Sequence, residues 1–139
     1  MGLKIKQCHL VVGVLTVLVF LATGRYMRIG FPELYEGNEV LRYLYRANHI
    51  YILCAGLLNL VLGVYVTMSE RAWVLRSQVL GSLLISIAPV LLIAAFFVET
   101  TEALPSRPLT ALGLQGLFGG SLLHLPKRFS REQKSGGLR

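Results

Sequence analysis

The chain has 139 residues, 54% hydrophobic and only 15% charged, with 14 Lys or Arg against 7 Glu and no Asp. Soluble domains carry about 25% charged residues. Here every charge lies outside four uncharged runs, Gln7–Gly24, Ala47–Ser69, Ser77–Val98 and Pro108–Pro126, of 18, 23, 22 and 19 residues. Runs of that length with no charge exclude a soluble fold and predict an all-α, integral membrane protein with a four-helix transmembrane bundle.

The first run predicts a helix over 7–24, rising about 27 Å. Lys4 and Lys6 precede it, and Ala22-Thr23-Gly24 passes as a weak signal-peptide cleavage site. The run nevertheless reaches spanning length, and an even number of spans gives the better charge asymmetry, so a retained helix is expected. The segment from Arg25 to Arg46 is the one substantial extramembrane loop. Gly30-Phe31-Pro32 is expected to break the chain there, and Gly37-Asn38 to start the second helix with Glu39 in its first turn. That helix is predicted over 38–68 and projects beyond the outer face.

A short connection with Trp73 as an interfacial anchor leads to the third helix, 77–98. Pro89 should kink it by removing one ladder bond and crowding the carbonyl of Ile85, with Ser86 helping to satisfy that region. The fourth helix, 108–126, completes a single domain spanning 1–126. The remainder, 127–139, is basic and polar, and is expected to lie disordered on anionic lipid.

Lys and Arg set the orientation. Lys4, Lys6, Arg71, Arg76 and five basic residues of the tail fall on one side with Glu70 and Glu132, a net +7. Arg25, Arg28, Arg42, Arg46 and Arg107 fall on the other with five Glu, a net of zero. Both termini are therefore expected to be cytoplasmic, in a bacterial inner (plasma) membrane. The basic pI reads as an orientation signal, and no nucleic-acid partner is implied. Cys8 and Cys54 fall in opposite halves of the membrane, cannot bridge, and are read as packing residues.

At 100° per residue the non-aliphatic side chains gather into stripes. Helix 1 aligns His9, Gly13, Thr16, Phe20 and Thr23, and helix 4 aligns Gly113, Gly116, Gly120 and His124. Helix 2 aligns Arg42, Arg46, His49, Gly56, Gly63 and Thr67, with Asn59 beside them, and helix 3 aligns Gln78, Ser82 and Ser86. Small residues of this kind let membrane helices approach closely, and Asn59 is expected to hydrogen-bond across helices.

Two candidate sites follow. His9 and His124 sit at matching depth just inside the cytoplasmic boundary, each at the end of a small-residue stripe. Two facing imidazoles are the donor set of a six-coordinate b-type haem; interfacial histidines solvated by headgroups would give the same pattern. Arg42, Arg46 and His49, at i, i+4 and i+7 with Glu39 one turn before, form a cationic stripe suited to a lipid phosphate, an anionic ligand or an acidic partner. An ordinary Glu–Arg ladder on a solvated helix is the simpler account.

No phosphate loop, dinucleotide fingerprint or zinc-ligand spacing is present. No carboxylate falls within the four runs, which argues against proton pumping and carboxylate acid–base catalysis. The reading that needs least is a non-enzymatic accessory, assembly or binding subunit, with no cofactor expected. Its partners would be membrane lipid and other membrane proteins or further copies of itself. A haem protein ligated by His9 and His124 is the alternative, and an oligomeric transporter or channel the next.

Overall fold

The computed structural model describes residues 2–34, 38–100 and 106–125, and these form four helices: α1 (Gly2–Leu34), α2 (Glu39–Tyr65), α3 (Ala72–Val98) and α4 (Pro108–Leu122). The first three are long and apolar enough to cross a membrane; α4 is shorter. The chain is therefore an all-helical membrane protein. The basic tail, 127–139, lies outside the described residues.

The helix ends differ from the sequence expectation in informative ways. α1 begins at Gly2 instead of residue 7, because a charge-free run marks the hydrocarbon layer and not the helix. Lys4 and Lys6 are sound helix formers, and Lys6 Nζ reaches the Val64 carbonyl near the end of α2, at 3.4 Å. α1 also continues through Gly30-Phe31-Pro32 to Leu34, where a break was expected. A proline so near the C-terminus removes one ladder bond and leaves the preceding turns intact. α2 starts as expected: Asn38 is its N-cap, the side chain accepting from Leu41 N at 3.2 Å.

The α2–α3 connection is tighter than the sequence suggests. Val66 turns extended (φ −63°, ψ 131°) and ends α2 three residues before the expected position. α3 then starts at Ala72 instead of residue 77. Gln78, buried, holds the connection from inside the helix: its Oε1 accepts from Ser69 N at 2.8 Å, and its Nε2 donates to the Thr67 carbonyl at 3.3 Å.

α4 opens with Pro108 in its first turn, where a missing N–H does no harm. It ends at Leu122, followed by a turn through Leu125, against the expected 108–126. Its 15 residues rise about 22 Å. The Gly119-Gly120 pair next to Ser121 gives its last turn poor helix propensity.

Packing runs through antiparallel neighbours, α1 on α2, α2 on α3 and α3 on α4. The first and last of these contacts close on glycine. A Cβ on Gly13 would sit 2.8 Å from the Leu60 backbone nitrogen, and one on Gly63 2.9 Å from that of Leu10. A Cβ on Gly120 would lie 2.7 Å from the Gly81 carbonyl oxygen. Ile52, Ala55, Ile85, Ala88, Leu92 and Phe96 form the apolar centre between α2, α3 and α4. Large apolar residues such as Val11, Leu15, Leu18, Val90 and Phe118 cover the outside, as a hydrocarbon environment requires. Cys8 and Cys54 belong to this outer surface, exposed, and are not packing residues.

Candidate functional site: a buried imidazole between helices 1 and 3

The α1 stripe is the buried face. His9, Gly13, Thr16 and Thr23 are buried, and the row continues to Met27. Thr16 and Thr23 satisfy their hydroxyls on their own helix, through the carbonyls of Val12 at 2.7 Å and Phe20 at 2.9 Å. His9 has no such local outlet. It is fully buried two turns into α1, and is not the headgroup-solvated residue that its place near Lys6 suggested.

Its environment is set from α2. Asn59, also fully buried, donates through Nδ2 to the carbonyls of Ala55 at 2.9 Å and Ile85 at 3.1 Å. Two carbonyl acceptors orient the amide, so the atom facing His9 Nδ1 at 2.7 Å is the acceptor Oδ1. His9 Nδ1 must therefore carry the proton. In the neutral ring that leaves Nε2 as a bare lone pair, and this nitrogen is buried with no hydrogen-bond partner among the described residues. Buried polar atoms are rarely left unpaired, so this one calls for an explanation.

The second Asn59 bond has its own cause. Pro89 lacks the N–H that would reach Ile85, four residues earlier, and Asn59 fills the vacancy from the neighbouring helix. Ser86, expected from sequence to take that task, instead turns its hydroxyl towards His9 Nδ1, at 3.4 Å.

Beside His9 lies a cavity of about 200 Å³, lined by Ile5, Cys8, Val79, Ser82, Leu83, Ser86 and His9 itself. Its accessible wall is almost wholly apolar, and His9 borders it while remaining fully buried, with no accessible surface at Nε2. Cys8 and Leu83 are exposed, so the cavity borders the outer surface of the helices. His124, in the turn after α4, is within reach of the same place: its Nε2 lies 3.3 Å from Ser82 Oγ. The two histidines singled out in the sequence thus approach one region from different sides, His124 against Ser82 and His9 against Asn59 and Ser86.

Arg42, Arg46 and His49 have different surroundings along α2. Arg42 pairs with Glu39 at 3.6 Å, and Arg46 is exposed. His49 turns away into α1, its Nδ1 3.0 Å from Thr23 Oγ1 and its ring stacked on Phe20 at 4.0 Å. Gly24 makes room, since a Cβ there would stand 3.1 Å from His49 Cε1. The i, i+4, i+7 spacing puts the three on one side of α2, but that side passes from solvent to the α1 interface along its length.

A second polar cluster was not anticipated. Glu99, the C-cap of α3, is buried and folds over the start of α4. It accepts from the backbone N–H of Leu109, from Thr110 N at 3.1 Å and from the Thr110 hydroxyl at 2.6 Å. Burial alone would raise its pKa. The Thr110 hydroxyl, the two backbone donors and the Arg107 charge outweigh that and hold it below the ordinary value. Arg107 Nη2 in turn donates to Asn48 Oδ1 at 2.6 Å, and Asn48 Nδ2 donates to Thr100 Oγ1 at 3.0 Å. The cluster ties α2, α3 and α4 together, and its carboxylate has all the donors it needs. Sequence reading left Glu99 and Arg107 in a loop; Thr100 directly after the glutamate and Pro108-Leu109-Thr110 at a helix start were the available hints.

Comparisons with known proteins do not extend this picture: no family model matches the sequence, and no curated protein or solved structure is significantly similar to it.

Proposed function

We propose that the protein is a membrane-embedded, non-enzymatic binding subunit whose binding centre is His9, uncovered when side chains beside the α1–α3 cavity shift. The observation that carries this is the unpartnered Nε2 of a fully buried imidazole whose other nitrogen is locked by Asn59. Leaving a buried acceptor unsatisfied costs about 1–3 kcal/mol. A packing residue at this position would not need to be histidine. In this reading both termini are cytoplasmic in a bacterial cell, and the four helices form a bundle in its inner membrane with α4 crossing as the shortest member. Net charges of +7 and zero on the two sides support that orientation.

The test is to purify the wild type and His9→Ala from the same membranes and compare organic extracts by mass spectrometry. A compound retained in stoichiometric amount by the wild type and missing from His9→Ala is expected. Identical extracts would reject the site.

A b-type haem held by His9 and His124 is a second reading, favoured by the same nitrogen. A ligating histidine characteristically donates its other ring N–H to an oxygen, as His9 does to Asn59. It requires His124 to leave Ser82, and it requires more room than about 200 Å³. Bound haem would supply electron transfer. A Soret band lost in both His9→Ala and His124→Ala would establish this reading, and a colourless preparation from haem-replete cells would end it.

A further inference from the structure

We infer that the cavity between α1 and α3 seats one acyl chain of an anionic glycerophospholipid, whose phosphate lies between Lys4 and Arg76. The inference uses neither ring nitrogen of His9 and stands apart from the reading of His9 as a binding centre.

Three observations lead to it. The first is the chemistry of the wall. α1 packs chiefly on α2, and a cavity of about 200 Å³ remains where it runs beside α3. The accessible surface of that cavity is almost wholly apolar, and it opens beside Cys8 and Leu83, two exposed residues of spanning helices. In a bilayer the medium at that opening is hydrocarbon. A water held there would need about two to four polar partners; a chain of methylenes needs none.

The second is shape. An apolar cavity of about 150 Å³ takes benzene, so this one is wide enough for a hydrocarbon chain. From Val79 to Ser86 it follows α3 for about 10 Å. One leaflet of hydrocarbon is about 15 Å deep, half of a core about 30 Å thick. The cavity therefore houses about two-thirds of a chain that runs alongside the helices.

The third is charge. α1 and α3 start at one end of the molecule, where Gly2 lies against Met68 in the connection that leads into α3. Lys4 stands one turn before Cys8, and Arg76 one turn before Val79, so both share the helix flanks that form the cavity. Both are exposed, and neither has a hydrogen bond or ion pair among the described residues. Lys6 and Arg71 add to the positive charge of this end, and Glu70 is its one carboxylate among the described residues. A phosphodiester can meet Lys4 and Arg76 together, and an anionic headgroup brings no cation of its own to compete with them. A basic side chain at the membrane surface favours anionic lipid by about five-fold, so two acting on one headgroup give about ten-fold or more.

The test uses the full chain in detergent, mixed with equimolar phosphatidylglycerol and phosphatidylcholine of identical acyl chains. Native mass spectrometry counts the lipid-bound states. The wild type should retain one phosphatidylglycerol, preferred about ten-fold over phosphatidylcholine. Lys4→Gln/Arg76→Gln should lower that preference to about two-fold or less. Arg25→Gln/Arg28→Gln removes two exposed charges from the other end of α1 and should leave it unchanged. Leu83→Trp, filling the cavity mouth, should reduce the binding of both lipids. Leu80→Trp, at an exposed residue of α3 that does not line the cavity, should not.

A preference that survives Lys4→Gln/Arg76→Gln, or that falls equally in Arg25→Gln/Arg28→Gln, overturns the headgroup assignment. Leu83→Trp binding as much lipid as Leu80→Trp overturns the seat of the acyl chain. Glycerol phosphate, a headgroup without chains, should fail to displace the lipid at equal concentration; displacement would give the site to a soluble phosphate and overturn the proposal.

Discussion

Asn59 of α2 supplies the hydrogen bond that Pro89 removes from α3: its Nδ2 donates to the Ile85 carbonyl at 3.1 Å. The repair comes from another helix, so it makes α2–α3 packing depend on a backbone defect. The same amide then has only its oxygen left for His9, and a proline in α3 thereby takes part in setting the tautomer of a histidine in α1.

Removing Asn59 should therefore expose the defect. Asn59→Ala is expected to destabilise the fold by about 1–3 kcal/mol, since it leaves the Ile85 carbonyl buried without a partner and His9 Nδ1 with only the Ser86 hydroxyl at 3.4 Å. In a Pro89→Ala background, residue 89 regains an N–H for Ile85. The Asn59→Ala cost should then fall by about 0.5–1 kcal/mol. Reversible unfolding in mixed micelles, followed by the fluorescence of Trp73, the chain's single tryptophan, measures both. Strict additivity of the two substitutions would show that Asn59 and Pro89 are energetically unconnected.

Glu99 gives the protein an acid-sensitive joint. Its pKa lies below the ordinary value of 4.5 in the folded state. Its contribution to stability is thus fully present above that ordinary value and is lost as pH falls through the lowered one. Glu99→Gln keeps the shape but weakens the capping of Leu109 and Thr110, at a cost of about 1 kcal/mol at neutral pH. The wild-type advantage over Glu99→Gln should shrink on acidification below about pH 4.5. An advantage that stays constant down to about pH 3 in the same unfolding assay would remove Glu99 from this role.

How much of this was legible in the residues depends on the distance between partners along the chain. The α1 row of His9, Gly13, Thr16 and Thr23 is periodic within a single helix, and these residues are buried as their spacing indicated. Asn59 was legible as an interhelical donor because an amide amid leucines has few other uses. Glu99 and Arg107 were not. Both border a connection, and only the antiparallel return of α4 against α3 brings the carboxylate onto the first turn of α4. Asn48 was hidden by its neighbours, since Arg46 and His49 drew the reading to the adjacent side of α2. Where α1 begins was obscured because charge reports the membrane boundary and helix hydrogen bonding ignores it.

The glycines should divide sharply under alanine substitution. A methyl at Gly63 or Gly120 meets backbone atoms at 2.9 and 2.7 Å, so the helices themselves must separate. Each substitution should cost about 1–3 kcal/mol. A methyl at Gly119 would meet nothing within 4 Å, and Gly119→Ala should be neutral or stabilising by up to about 1 kcal/mol through helix propensity. Thermal inactivation of the three variants, read by size-exclusion recovery, checks the order. A Gly119→Ala variant as damaged as Gly120→Ala would contradict the α3–α4 arrangement.

Cys8 and Cys54 report on the surroundings of the helices. Both are exposed and both belong to helices long and apolar enough to span. In sealed native membranes, Cys54 should react with a lipid-soluble maleimide and resist a charged, water-soluble one, and detergent denaturation should remove the difference. Rapid labelling of Cys54 by the charged reagent in intact membranes would place the middle of α2 in water.

Asn48 and Asn59 stand eleven residues apart on α2, three turns or about 16 Å, and both bond to the α3 side, at Thr100 and Ile85. Two fixed points at that spacing work like pins through a pair of rulers. A slide of α3 by one turn, about 5.4 Å, would break both bonds at once, taking Thr100 from Asn48 Nδ2 and leaving the Ile85 carbonyl unpaired beside Pro89. Sliding is thereby closed off as a mode of motion. Whatever enters the space beside His9 has to be admitted sideways, by side-chain movement at Cys8 and Leu83 or by a tilt of α1 away from α3.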